Sequence, residues 1–210
     1  MGKSAAVEIL AEEGLFSSAH AALVFAFNFS GQCYDRPMMN RLAAPAIGSG
    51  KGLGGLDGAA QAGFIRAEVR GLGSLAEAIL IARIAPRAMP CHCRQSCCSG
   101  RKPNAEWVTA ISHLADQARR SALLGCAANG IMRREYVVRY FTPKEQRISL
   151  EALAEKHDVD RNTASAHCSK VATWLGGLPV RKDKPAVPGM EELAVAAIDQ
   201  RLREIGMVGV

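Results

Sequence analysis

A chain of 210 residues that is 49% hydrophobic and 22% charged can bury one sizeable core, or one core plus a small module, and is too apolar to be disordered. Aromatics make up only 5%, and runs rich in Ala, Leu, Glu and Arg favour helix over strand, so an all-α protein is expected. The net charge of +6 suits a polyanionic partner.

The N-terminal stretch carries Glu8, Glu12 and Glu13 and has no apolar h-region, which argues against a secretory signal. The apolar stretches 19–29 and 75–85 contain His20, Asn28, Glu77 and Arg83 and are too short to cross a bilayer. The expectation is a soluble protein of the bacterial cytoplasm, whose seven cysteines are free thiols or metal ligands.

In chain order, residues 5–29 read as two helices broken near Gly14, the second buried through Leu23, Phe25, Phe27 and Phe29. Residues 30–55 read as an irregular connector. The run from Gly48 to Gly55 fails as a phosphate-binding P-loop, because Gly52 replaces the hydroxyl residue after Lys51 and Ala46 replaces the first glycine. Asp57 is placed to cap a helix over 59–70. Ser74-Leu75-Ala76-Glu77 forms a capping box for a helix that Pro86 and Pro90 end. A cysteine loop follows over 91–100, and then a helix capped by Asn104 and running towards Gly125. Residues 131–141 have strand-like composition, but their position favours a helix closed by Pro143. A Lys- and Pro-rich linker over 181–189 leads to an amphipathic helix over 191–205, with Leu193, Ala197, Leu202 and Ile205 on one side. The resulting division is 1–88, 89–130, 131–179 and 180–210.

The clearest functional signal lies at 149–175. Ser149 caps a short helix over 150–157, Asp158-Val159-Asp160 makes a turn, and Asp160 caps a second helix from Arg161 to Leu175. Ala154 gives the small residue needed where two helices cross closely, and Val159 pins the turn. Ala164, Cys168, Val171 and Leu175 form an apolar inner face. This is the pattern of a helix-turn-helix that binds double-stranded DNA. The outer face carries Arg161, Asn162, Ser165, Ser169 and Lys170, types that read base edges or bind phosphates, and the first three lie where a recognition helix enters the major groove. Arg133, Arg134, Arg139, Lys144 and Arg147 stand upstream as phosphate contacts. His157 and His167 occupy slots that are usually apolar and are expected to pack on each other or on the turn; Asp158 stands where glycine is common. The competing reading is a helical hairpin with a solvated charged face.

Cys91, Cys93, Cys97 and Cys98 are a second constellation, with His92 among them. Thiolates suit tetrahedral zinc, although C-x-C-x3-C-C is not a two-pair zinc spacing, and His92 or His113 would substitute for one thiol. Plain thiols in a turn are the alternative. Cys33, Cys126 and Cys168 read as small core residues.

Residues 150–175, preceded by Arg134-Glu135-Tyr136-Val137-Val138, resemble the fourth region of bacterial sigma factors and the phage regulators built on it. The stretch from Gly52 to Gly63, the cysteine loop, and Pro103-Asn104-x-Glu106-Trp107 are similar to phage antitermination proteins of the Q type. The resemblance implies a protein that binds DNA beside a late promoter, engages RNA polymerase holoenzyme and carries it past terminators, with Arg161, Asn162 and Ser165 reading the DNA. A promoter-bound late-gene activator or repressor and a terminase small subunit are the other DNA-binding readings. A thiol or zinc enzyme is the reading from another class. No Ser-His-Asp set, HExxH motif or nucleotide fingerprint accompanies the cysteines, so no enzyme is expected.

Overall fold

The computed structural model describes residues 14–29, 55–91, 93, 95–96, 98–180 and 185–209. These are mostly helical, as composition predicts: α1 (Ala19–Asn28), α2 (Gly55–Gly71), α3 (Ser74–Ile84), α4 (Ala105–Arg120), α5 (Gly130–Phe141), a 3₁₀ turn (Lys144–Gln146), α6 (Leu150–Lys156), α7 (Arg161–Gly176) and α8 (Met190–Glu204). A two-stranded antiparallel hairpin, β1 (Ala88–Pro90) and β2 (Arg101–Pro103), adds a small strand component. The connector over 30–54 and the helix expected before Gly14 lie outside the described residues.

The chain forms two compact units. One comprises Met1–Gly73, Ile84–Asn104 and Val195–Val210; the other comprises Ser74–Arg83 and Ala105–Ala194. In the first unit α1 packs on α2. Ser18 caps α1 by accepting the Ala21 N–H at 3.2 Å, and Ala19, Ala22, Leu23, Ala26 and Phe27 are buried. Arg66 of α2 stacks 4.8 Å from the Phe27 ring and donates to the Ala26 carbonyl at 3.0 Å, near the end of α1. Phe16 forms a parallel bridge with Val208. Asp57 lies inside the first turn of α2 rather than at its N-cap, because the helix begins earlier, at Gly55; there the carboxylate still favours the helix dipole.

In the second unit α5 is central, packing against α4 and α7, with Met132, Tyr136, Val137 and Phe141 buried. Asn129 caps α5 through Met132 N–H at 2.9 Å, and the helix stops at Thr142, before Pro143. This agrees with the helical reading of 131–141. Helix α4 stops at Arg120; 3₁₀-type bonds (Ser121 N–H to Ala118, Leu124 N–H to Ser121) and Gly125 at φ +74 carry the chain on. Trp107 Nε1 donates to the Ala82 carbonyl at 3.2 Å. Glu191 accepts from Arg83 Nη2 at 2.7 Å and from the Tyr140 hydroxyl at 2.6 Å. Burial pushes the Tyr140 phenol up, and the same bond to Glu191 pushes it further. Gly177, at φ +76, closes α7; its N–H donates to Thr173, and a Cβ there would lie 2.5 Å from the Gly189 nitrogen.

The buried line of α8 is Ala194, Ile198 and Leu202, whereas Leu193 and Ile205 are exposed. Of the side expected from the sequence, Leu193, Ala197, Leu202 and Ile205, only Leu202 is buried. The buried i, i+4 row through Ala194, Ile198 and Leu202 shares Leu202 with that side and lies one residue on from Leu193 and Ala197. Among the described residues no helix is long and apolar enough to cross a membrane.

Candidate functional site

Helices α6 and α7 and the turn 157–160 make up the segment 149–175. Ser149 Oγ accepts the Ala152 N–H at 3.1 Å, and Asp160 Oδ1 accepts the Asn162 N–H at 2.7 Å. Both caps stand where the sequence places them, each worth about 1 kcal/mol. The turn closes through Asp158 N–H to Glu155 and Val159 N–H to Ala154, the latter at 3.0 Å. Asp158 has φ +50, which explains why glycine is common at such a position; Asp is among the few L-residues that adopt this conformation. Leu153 and Ala154 are buried on α6, and Val159 is half-buried.

On α7 the buried residues are Ala164, His167, Val171 and Leu175. His167 therefore takes the inner position expected of Cys168, which is only half-buried. His167 lies three residues after Ala164 and four before Val171, and the Tyr136 hydroxyl, 3.4 Å from its Nδ1, supplies the partner a buried imidazole needs. Burial, then the charge of Lys170, lowers its pKa. Burial pushes the Tyr136 phenol up to about 12. His157 pairs not with His167 but with Glu135, Nε2 to Oε2 at 2.9 Å, and Lys156 Nζ donates to the same carboxylate at 2.6 Å. Each histidine thus meets a residue of α5, Glu135 for His157 and Tyr136 for His167.

Of the proposed DNA-reading residues, Arg161, Asn162, Ser169 and Lys170 are exposed along α7, and Ser165 is half-buried. Arg161 Nε donates to Glu151; with side chains 58% and 61% exposed, this pair is weak and readily exchanged. Lys170 Nζ donates to Cys126 Sγ at 3.2 Å. The upstream cations divide. Arg134 and Lys144 are exposed, whereas the half-buried Arg133, Arg139 and Arg147 donate to backbone carbonyls: Arg133 to Ala128, Arg139 to Ile148, and Arg147 to Thr142 at 2.7 Å and Tyr140 at 3.2 Å. These three arginines hold the loops around α5. Nothing in a run of basic residues distinguishes a clamp from a solvated charge, and Glu135 and Glu151, which orient Lys156, His157 and Arg161, carried no signal of their own.

The cysteine loop is framed by the β1–β2 hairpin, in which Met89 opposes Lys102. Cys91 N–H donates to the Gly100 carbonyl at 2.8 Å and closes the loop. The Sγ atoms of Cys91, Cys93 and Cys98 all lie within 4.8 Å of one another. Cys97 and His92 lie outside the described residues. A backbone N–H of Gln95, followed by the Cys98 and Cys91 thiols, holds the Cys93 thiol below its ordinary range; hydrogen bonding to Cys93 pushes Cys98 up.

The chain matches no protein family, no curated protein and no solved structure. Its chemistry is therefore read from its own geometry. A tetrahedral ion with metal–sulfur bonds of about 2.3 Å needs sulfurs roughly 3.8 Å apart. The trio lies within 4.8 Å of one another, close to that spacing, so these three soft donors could hold a metal ion. The helix pair offers a second kind of site, an exposed polar and basic helix face held by caps at both joints.

Proposed function

We propose that this protein is a sequence-specific, DNA-binding regulator of transcription, of the antitermination type, with α6 and α7 as a helix-turn-helix. The observation that carries this reading is the arrangement of α7. Its inner side is packed through Ala164, His167, Val171 and Leu175, and its first turn, anchored by the Asp160 cap, leaves Arg161 and Asn162 exposed. In a major groove Arg161 would read guanine and Asn162 adenine, with Ser165 beside them. Ser169, Lys170, Arg134 and Lys144 would meet phosphates.

On this reading the resemblance of 150–175 to the fourth sigma region, and of the cysteine loop and its flanks to Q-type antitermination proteins, reflects a shared task. The protein binds a DNA site near a late promoter, contacts RNA polymerase holoenzyme, and remains with the enzyme through terminators. The thiols of Cys91, Cys93 and Cys98 would hold a structural zinc ion, whose contribution is to fix the loop on its hairpin.

An in-vitro transcription template with an intrinsic terminator downstream tests this function. Read-through should rise only when the DNA site is present in cis, because DNA binding supplies local capture of polymerase. Increased initiation with an unchanged read-through fraction would assign the protein to promoter-only regulation instead.

A further inference from the structure

Between α5, the start of α6 and α7 lies a cleft of ≈ 220 Å³, whose lining includes Arg139, Arg147, Leu150, Ser165, Cys168 and Ser169. Ser165 and Ser169 stand one helical turn apart, so their hydroxyls share a face of α7. Arg139 reaches the cleft from α5, held by the Ile148 carbonyl. Arg147 reaches it from the following loop, held by the carbonyls of Thr142 and Tyr140. Those bonds use only part of the five donors on each guanidinium and anchor Arg147 at two carbonyls and Arg139 at one, which lowers the entropy cost of engaging a ligand. Among the described residues no carboxylate lines the cleft. The Cys168 thiol there is pushed up by burial against the opposing pull of Arg139 and Arg147, so it remains a neutral S–H rather than a competing anion.

Two anchored guanidinium groups, two hydroxyls and a neutral thiol around one small cavity are a donor set for a tetrahedral oxyanion. We infer that this cleft is a phosphate site, and that in the DNA-bound protein its occupant is a backbone phosphodiester of the duplex read by the first turn of α7. The second half of the inference rests on the DNA-binding reading; the first half does not. The site would fix the register of α7 along the groove, turning Arg139 and Arg147 from loop clamps into one rigid phosphate clamp.

Two arms on the full chain separate the sources of phosphate. In the first, inorganic phosphate is titrated at constant ionic strength and followed by amide and guanidinium NMR. Shifts should concentrate at Arg139, Arg147, Ser165 and Ser169 and disappear in Ser169→Asp, which sets a competing carboxylate in the cleft and leaves both arginines in the sequence. In the second, duplex affinity is measured against salt. Ser169→Asp should weaken selected and random duplexes alike by about tenfold and lower the salt slope by about one. Thr173→Asp, the same charge one turn on and outside the cleft, should change both far less. Phosphate shifts without any duplex binding would keep the site as one for free phosphate while removing the DNA reading. No phosphate shifts, together with duplex binding in which Ser169→Asp behaves as Thr173→Asp does, would overturn the proposal.

Discussion

His157 Nε2 lies 2.9 Å from Glu135 Oε2, so the residue that ends α6 is tied to the middle of α5 across 22 positions of sequence. Lys156 binds the same carboxylate, which fixes the exit of α6 and hence the angle at which the turn hands over to α7. Glu135 is held below the ordinary carboxylate range: burial acts to raise it, but the bonds from Lys156 and His157 outweigh that. A depressed carboxylate contributes stability that is present above its unfolded value, near 4.5, and is lost as pH falls through the folded value. Glu135→Gln should therefore cost about 1 kcal/mol at pH 7 by urea denaturation, with the gap to wild type closing below about pH 4.5. A gap that persists at pH 3 would mean that shape, not charge, is what Glu135 supplies.

His167 titrates in a different window. Its folded pKa is lowered, so the unfolded chain takes up a proton that the folded chain resists, and stability falls as pH drops below about 6.5. Wild type should lose stability between pH 7.5 and 5, while His167→Gln, which keeps a hydrogen-bonding group near Tyr136, should show a flatter profile. Parallel profiles would place the titrating group elsewhere.

Asp158 is a non-glycine residue at φ +50 in the turn between α6 and α7. Asp158→Val should destabilise the protein by about 1–2 kcal/mol, because a β-branched side chain is poorly accommodated there, and Asp158→Gly should be neutral or stabilising. Equilibrium unfolding of the two variants checks this; a Val variant as stable as wild type would mean that the turn relaxes to another conformation.

Protein purified without added metal should carry about one zinc ion by native mass spectrometry. Cys93→Ser/Cys98→Ser should remove the ion and lower Tm by several degrees, since binding energy at such a site is folding energy. Full thiol titration of metal-free native protein, with Tm unchanged by chelator, would leave the three sulfurs as plain thiols.

The elements that carry their own local chemistry were legible in the sequence. Ser149 and Asp160 announce two helix starts, Ala154 and Val159 a close crossing, and Pro143 the end of α5. The hairpin was not, since three-residue strands that include Pro90 and Pro103 show no alternation and owe their pairing to the loop they close. The inner face of α8 was misjudged because Leu193 and Ile205 are apolar yet exposed, and hydrophobicity alone does not choose between adjacent rows of a helix. The same limit hid His167, whose burial depends on a tyrosine 31 positions away. At the site, residue types along α7 were readable, but the engagement of Arg133, Arg139 and Arg147 with backbone carbonyls was not, because it depends on where the chain turns.

The most direct test of the central claim is selection of duplexes from a random pool, followed by affinities of Arg161→Ala and Asn162→Ala for the selected and a scrambled sequence. The account predicts enrichment of a defined site, and a loss of about 1–3 kcal/mol for each variant on that site with little change on scrambled DNA. No enriched sequence, or equal losses on both duplexes, would contradict a reading role for α7.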